Sequence, residues 1–177
     1  MTIAEFDHLP SVKKSELLFQ CCGSNEWVNK MLTVFPVEDL VELLDATEEK
    51  WYQCSEADWK EAFTHHPQIG DIHSLKEKFA NTAEWAAGEQ SGVINANEKT
   101  LLQLSKANEE YQKKFGFIFI ICATGLTAEN ILTDMEMRLS HTENEELNIA
   151  AAEQLRITKL RLEKLFGVNE SSQNSEQ

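Results

Sequence analysis

Thr142-Glu143-Asn144-Glu145-Glu146-Leu147-Asn148-Ile149-Ala150-Ala151-Ala152-Glu153-Gln154-Leu155-Arg156-Ile157-Thr158-Lys159-Leu160-Arg161-Leu162-Glu163-Lys164-Leu165-Phe166-Gly167 is the stretch that decides the fold. Thr142 followed three residues later by Glu145 reads as a capping box, in which each side chain meets the other residue's backbone N–H. Leu147, Ala151, Leu155, Thr158, Leu162 and Leu165 then recur at spacings of three and four, so they line one face of a long helix. Gly167 supplies the stop. Arg161 sits at the edge of this stripe, where an arginine ordinarily lays its stem on apolar surface and keeps its head in water. The polar run from Asn169 to Gln177 predicts a disordered tail.

The same periodicity extends outward. Leu126, Thr127 and Ile131 suggest a hydrophobic staple opening a helix with Met135 and Leu139. Asn95-Ala96-Asn97-Glu98 resembles another capping box, followed by Leu101, Leu104, Asn108, Tyr111 and Phe115, with Gly116 as the stop. That stripe covers only about two heptads, too few for a coiled-coil seam, so core packing is the better reading. Between these helices, Phe117-Ile118-Phe119-Ile120-Ile121-Cys122-Ala123 carries no helical cap, which predicts a short buried extended segment near 117–123. With no partner strand evident, its backbone groups are candidates for ligand bonds; a buried helix start is the competing reading.

In the N-terminal third, Ile3, Phe6 and Leu9 form a short amphipathic turn closed by Pro10, and Ser11 caps a helix through Leu17, Leu18 and Cys21 to Gly23. Trp27, Val28, Met31, Leu32 and Phe35 predict a third helix ending at Pro36. Leu40, Val41 and Leu44 predict a fourth running into Glu48-Glu49. Gly 7 and Pro 3 are few among 177 residues, and 42% of the side chains are apolar, enough for one core. The expectation is an all-α chain: a single compact multi-helix domain over 1–168, with a tail over 169–177.

Thirty acidic against sixteen basic residues give a net charge of −14, which repels phosphate backbones and anionic membranes. Neither nucleic acid nor membrane is expected as a partner. An anionic ligand would need a specific arginine or backbone N–H groups to meet its charge, which draws attention to Arg161. Cys21, Cys22, Cys54 and Cys122 fit no CxxC spacing and sit in apolar patterns, as small hydrophobes in a reducing compartment do. No leader-like N-terminus, membrane-length apolar run or C-terminal address is seen, so the expected location is cytoplasmic.

One stretch concentrates chemistry: His65-His66-Pro67-Gln68-Ile69-Gly70-Asp71. Trp59, Phe63 and His66 are spaced by four and three, so His66 shares the face of two aromatic rings and points inward. The helix opened by Ser55-Glu56-Ala57-Asp58 is expected to end at His66, because Pro67 disfavours helical backbone in the residue before it. An imidazole held by a stiff turn suits proton transfer near neutral pH; a histidine merely satisfied in the core is the alternative. Leu75 and Phe79 mark a further helix. Beyond it Glu89 follows Ala86, Ala87 and Gly88, small residues that let a ligand approach its carboxylate, although a solvated surface glutamate would look the same.

Taken in order, His66-Pro67-Gln68-Ile69-Gly70-Asp71, the Trp85 to Gly92 segment with Glu89-Gln90-Ser91-Gly92, Lys114-Phe115-Gly116 through Ala123, and Ile157-Thr158-Lys159-Leu160-Arg161-Leu162 closely resemble the 2-oxo-4-hydroxy-4-carboxy-5-ureidoimidazoline (OHCU) decarboxylases of urate breakdown. The resemblance implies an all-helical, cofactor-free enzyme, often a homodimer; no metal is expected. It would act on a small anionic ureidoimidazoline, releasing CO2 and leaving (S)-allantoin. By the same resemblance the proton-donating histidine is His66 with Pro67 beside it, and the site glutamate is Glu89. Ala86, Ala87, Gly88 and Gln90 line the substrate loop, backbone contacts fall on Phe119, Ile120, Ile121, Cys122 and Ala123, and the anion-binding arginine is Arg161.

Two other classes compete. One is a non-catalytic acidic helical protein-interaction domain in which His66, Glu89 and Arg161 are structural. The other is a metal site from His65, His66, Asp71 and His73, weakened by the absence of a compact ligand spacing such as H-E-x-x-H.

Overall fold

The computed structural model describes residues 1–67 and 98–167, and within these there are eight helices and no strand. They are α1 (Ile3–Asp7), α2 (Ser11–Cys22), α3 (Asn25–Leu32), α4 (Leu40–Tyr52), α5 (Glu56–Phe63), α6 (Glu98–Phe115), α7 (Ala128–Arg138) and α8 (Glu143–Leu165). The all-α expectation holds. The expectations that fall on 68–97 and on the tail lie outside the described residues. None of the described helices is long and apolar enough to cross a membrane. The chain divides into two compact units, one of Met1–Asp58 with the chain from Leu155 on, the other of Trp59–Gln154.

In the first unit local chemistry sets each helix end. Thr2 and Glu5 form a capping box at α1, and Ser24 and Asp39 accept backbone N–H groups at the starts of α3 and α4. Gly23 ends α2 in the left-handed conformation at φ 82°, where a side chain would be strained. Three expectations are corrected. The α2 cap position is Pro10, not Ser11, and it makes no side-chain cap bond, since the proline ring carries no acceptor; its fixed φ of −57° leads the chain into the helix instead. Helix α3 stops at Leu32, short of Pro36, because the N–H groups of Thr33 and Val34 turn back three residues to Lys30 and Met31. The inner face of α4 is Leu43, Thr47 and Trp51, while Val41 is exposed. Phe6 packs against Phe35 and Phe166 with ring centroids 4.8 and 5.3 Å away, and the buried Trp27 indole donates to the Thr47 carbonyl at 3.3 Å.

In the second unit, Leu104, Asn108, Tyr111 and Phe115 of α6 are buried as their spacing predicts, and Gly116 ends the helix at φ 78°. The 117–123 segment that follows is neither helix nor strand and is buried except at the half-buried Ile118. Tyr111 meets Phe119 edge-on at 5.1 Å, and Phe63 packs on Phe117 at 5.2 Å. Each such buried ring contributes roughly 1.5–3 kcal/mol, which holds the segment without ladder bonds. Thr127 and Asn130 cap α7, whose Ile131 and Met135 face inward. Thr142 and Glu145 form the capping box expected at the start of α8.

Candidate functional site

Ser55 and Asp58 cap α5 reciprocally, the Ser55 N–H donating to the Asp58 carboxylate at 2.8 Å. The helix ends at Phe63, earlier than the His66 expected: the N–H groups of His65 and His66 bond back three residues to Ala62 and Phe63, tightening the exit into a turn that Pro67 continues. The inward orientation is nevertheless as expected. His66 and Pro67 are buried, whereas His65 is exposed. His66 Nε2 lies 2.6 Å from Oε1 of the fully buried Gln154 on α8, so the ring donates through Nε2–H to the amide oxygen.

The 119–123 backbone was expected to offer bonding groups to a ligand. The structure commits two of them internally: the Cys122 N–H donates to Glu153 Oε2 at 2.7 Å, and the Ile120 carbonyl accepts from Arg138 Nη1 at 2.9 Å. Within the second unit, then, consecutive α8 residues hold two of the predicted site pieces, Glu153 the Cys122 amide and Gln154 the His66 ring.

Arg138 belongs to a buried charged cluster that sequence reading did not single out. Its Nε donates to Glu146 Oε1 at 2.7 Å, the Tyr111 hydroxyl donates to the same oxygen, and His141 Nδ1 lies 2.9 Å from Oε2. Burial, then the bond to Glu146, push the Tyr111 phenol well above its ordinary range. The guanidinium also stacks 4.3 Å over the Phe119 ring, so one arginine fixes a side chain and a carbonyl of the 117–123 segment. A signal was available: Ile131, Met135 and Arg138 are spaced by four and three, which places a charge on an apolar face, where it requires a partner.

Arg161 lies in the first unit. The expectation of a boundary arginine with its head in water is overturned: it is 6% exposed, and its Nη1 donates to the Cys21 carbonyl at 3.4 Å. Neighbouring Cys22 is buried against Thr158, and burial raises its thiol pKa far above the ordinary value. The row Glu146, Ala150, Gln154, Thr158, Arg161 runs along one face of α8 and is buried throughout. This polar seam lies beside the apolar stripe, of which Leu165 alone is only half-buried. Glu153 and Gln154 were missed because neither carries a motif, although a buried polar seam at helical spacing is readable in principle.

Glu89, Ala86, Ala87, Gly88 and Gln90 lie outside the described residues. So do Asp71 and His73 of the metal alternative, whose His65 is exposed and whose His66 has Nε2 on Gln154. Among the described residues no three His, Cys, Asp or Glu side chains cluster to hold a metal ion.

Comparison with known proteins adds the following. The OHCU decarboxylase family model matches residues 7–163. The chain is 40% identical over 149 residues to the uric acid degradation bifunctional protein TTL of Arabidopsis thaliana, covering 82% of this chain and 45% of that one. It is 30% identical over 122 residues to the 2-oxo-4-hydroxy-4-carboxy-5-ureidoimidazoline decarboxylase of Haloferax volcanii, covering 69% and 65%. It thus spans about half the length of the first relative and about two thirds of the second. A crystal structure of OHCU decarboxylase in the presence of (S)-allantoin matches with a TM-score of 0.73 at 37% identity, covering 86% of this chain and 97% of that one.

Proposed function

Because the chain belongs to the OHCU decarboxylase family, we propose that it converts 2-oxo-4-hydroxy-4-carboxy-5-ureidoimidazoline to (S)-allantoin and CO2. The observation that carries this reading is His66, a buried imidazole at a proline-stiffened turn, bonded to the neutral Gln154 amide. The bond to the carboxylate carbon breaks, CO2 leaves, and the electron pair moves into the adjacent ring C=N, whose nitrogen takes a proton. The hydroxyl proton then departs as its carbon becomes a carbonyl, and the neighbouring ring carbon receives a proton from His66. One proton is consumed overall, and the substrate's own C=N serves as the electron sink, so thiamine or pyridoxal is not required.

In this reading Glu89 accepts or orients the hydroxyl proton, and Ala86, Ala87, Gly88 and Gln90 line the substrate beside it. Pro67 and the 119–123 backbone confine the ring, and Arg161 meets the substrate's negative charge against a net −14 field. Delivery from one face accounts for a single enantiomer. The proposal extends to a homodimer in a reducing cytoplasm, supported by the burial of all four cysteines for the compartment and by the family resemblance for the dimer. Sedimentation equilibrium should give twice the 20.2 kDa chain mass.

The test is purified protein on freshly generated substrate with a chelator present, followed by circular dichroism of the allantoin formed. Optically active product appearing faster than the spontaneous racemic background is expected. Racemic product at the background rate refutes the reading, and intact ligand bound without turnover would favour the interaction domain.

A further inference from the structure

We infer that Gln154 is a positioning residue for His66, fixing which ring nitrogen carries the proton and holding the ring in register with the 119–123 backbone. The inference rests on the decarboxylase reading and assigns a part to a residue to which the family resemblance gave none. The contact joins positions 88 apart in sequence, at 2.6 Å between two buried side chains. A buried imidazole has two dissimilar nitrogens, and the bond made by one decides the tautomer of the ring. An amide oxygen on Nε2 keeps the proton there in the neutral ring, and it accepts equally from the imidazolium.

Because the amide is neutral, it orients the ring without the charge that a carboxylate would add to the protonated form. The ring is thereby left able both to give up a proton and to regain it. Gln154 is also well supported. It sits inside the 23-residue helix α8, and its neighbour Glu153 holds the Cys122 N–H at 2.7 Å. One rigid turn of helix therefore references both the imidazole and the 119–123 backbone, the arrangement that keeps reacting groups within a fraction of an ångström. The ionisable residues next along these elements are Glu61 and the exposed His65 on the His66 side, and on α8 the exposed Arg156 and Glu153, whose carboxylate is engaged by the Cys122 N–H.

Two variants of the full chain test this. Gln154→Leu removes the acceptor at similar volume and should lower kcat about tenfold or more, the equivalent of one lost hydrogen bond, while KM changes little. Gln154→Glu restores an acceptor with charge; it should recover part of kcat and move the His66-dependent limb of the pH–rate profile upward by about one unit. Nitrogen-15 spectra of the His66 ring should show Nε2–H in the wild type, a tautomer mixture in Gln154→Leu, and a higher titration midpoint in Gln154→Glu. An active wild type whose Gln154→Leu form keeps normal kcat and pH profile overturns the inference alone, and so does a Gln154→Glu form with an unmoved limb. A wild type without turnover refutes the decarboxylase reading, whereas a ring tautomer that still responds to Gln154→Leu upholds the positioning contact. Should Gln154→Leu fail to fold by circular dichroism, Gln154→Glu, which keeps both volume and acceptor, carries the test.

Discussion

Arg138→Met should destabilise the protein by about 3–4 kcal/mol, because breaking a buried ion pair leaves an uncompensated charge. The guanidinium is 4% exposed and Glu146 is fully buried, so water cannot replace the lost partner. The methionine keeps an unbranched apolar stem, which confines the loss to the charge and its hydrogen bonds. The full range for such a break is about 3–5 kcal/mol, and the Ile120 carbonyl also loses its Arg138 donor. Tyr111 and His141 still support the Glu146 carboxylate, and for that reason the lower part of the range is expected. In a chain of this size each kcal/mol moves the Tm by about 2–4 °C, so the Tm should fall by about 6–16 °C. Urea unfolding should show the loss as a lower midpoint at unchanged slope. Arg138→Met combined with Glu146→Leu should recover part of it, because a pair replaced by apolar groups leaves no orphan charge even though the Tyr111 hydroxyl and the Ile120 carbonyl lose their partners. A single variant within about 1 kcal/mol of wild type, or a double variant no better than the single, refutes the reasoning.

Three further outcomes are expected. His66→Ala should lower kcat by about a hundredfold or more with circular dichroism and Tm nearly unchanged, while exposed His65→Gln should be close to wild type; equal losses at both positions would mean that the motif serves folding. Arg161→Ala should raise KM about tenfold or more and Arg161→Lys should recover only part of it, because an ammonium cannot reproduce a planar two-pronged contact; unchanged kinetics would make this arginine structural, held by the Cys21 carbonyl. Burial holds the Cys54 thiol up at about 11, above the ordinary value of 9.0, so the unfolded chain loses this proton first as pH rises. Stability should therefore be intact below pH 9 and decline above it, with the buried Cys22 thiol and Tyr111 phenol adding to the fall, and Cys54→Ala should make the decline between 9 and about 11 smaller in urea midpoints. A decline of the same size in Cys54→Ala would exclude this thiol as its source.

The parts of the fold legible in sequence are those written in local chemistry. The capping pair at Thr142, the helix start at Thr127 and the stops at Gly23 and Gly116 act within four or five residues of backbone, and each appears where its side chains predict it. Helix ends without such a device were misjudged. Phe63 to His66 and Leu32 to Val34 close by bonds to the third residue back, a choice between two competing backbone patterns that side-chain identity barely biases. The inner face of α4 was misread for a related reason. Leu40, Val41 and Leu44 are as apolar as Leu43, and only Thr47 and Trp51, four and eight residues on, decide which row is buried.

The candidate site divides along the same line. His66 could be found because a proline and two aromatic rings lie within eight residues of it, whereas its acceptor Gln154 is 88 residues away and carries no motif. A polar side chain in the interior is tolerated only when something meets it, and hydropathy records the side chain but not the partner. Arg161 shows the consequence. Its edge position suggested a head in water, but the structure buries it at the end of a row that begins with Glu146 and passes through Gln154 and Thr158. Each polar member of that row has a partner within its own unit: Arg138, Tyr111 and His141 for Glu146, His66 for Gln154, Cys22 for Thr158, and the Cys21 carbonyl for Arg161. Four buried polar side chains on one helix face lower stability unless each is matched, and an all-apolar face would have packed the same helix at no such cost. In the proposed decarboxylase reading Gln154 and Arg161 serve the chemistry, and α8 is therefore the element along which substitutions should separate activity from folding.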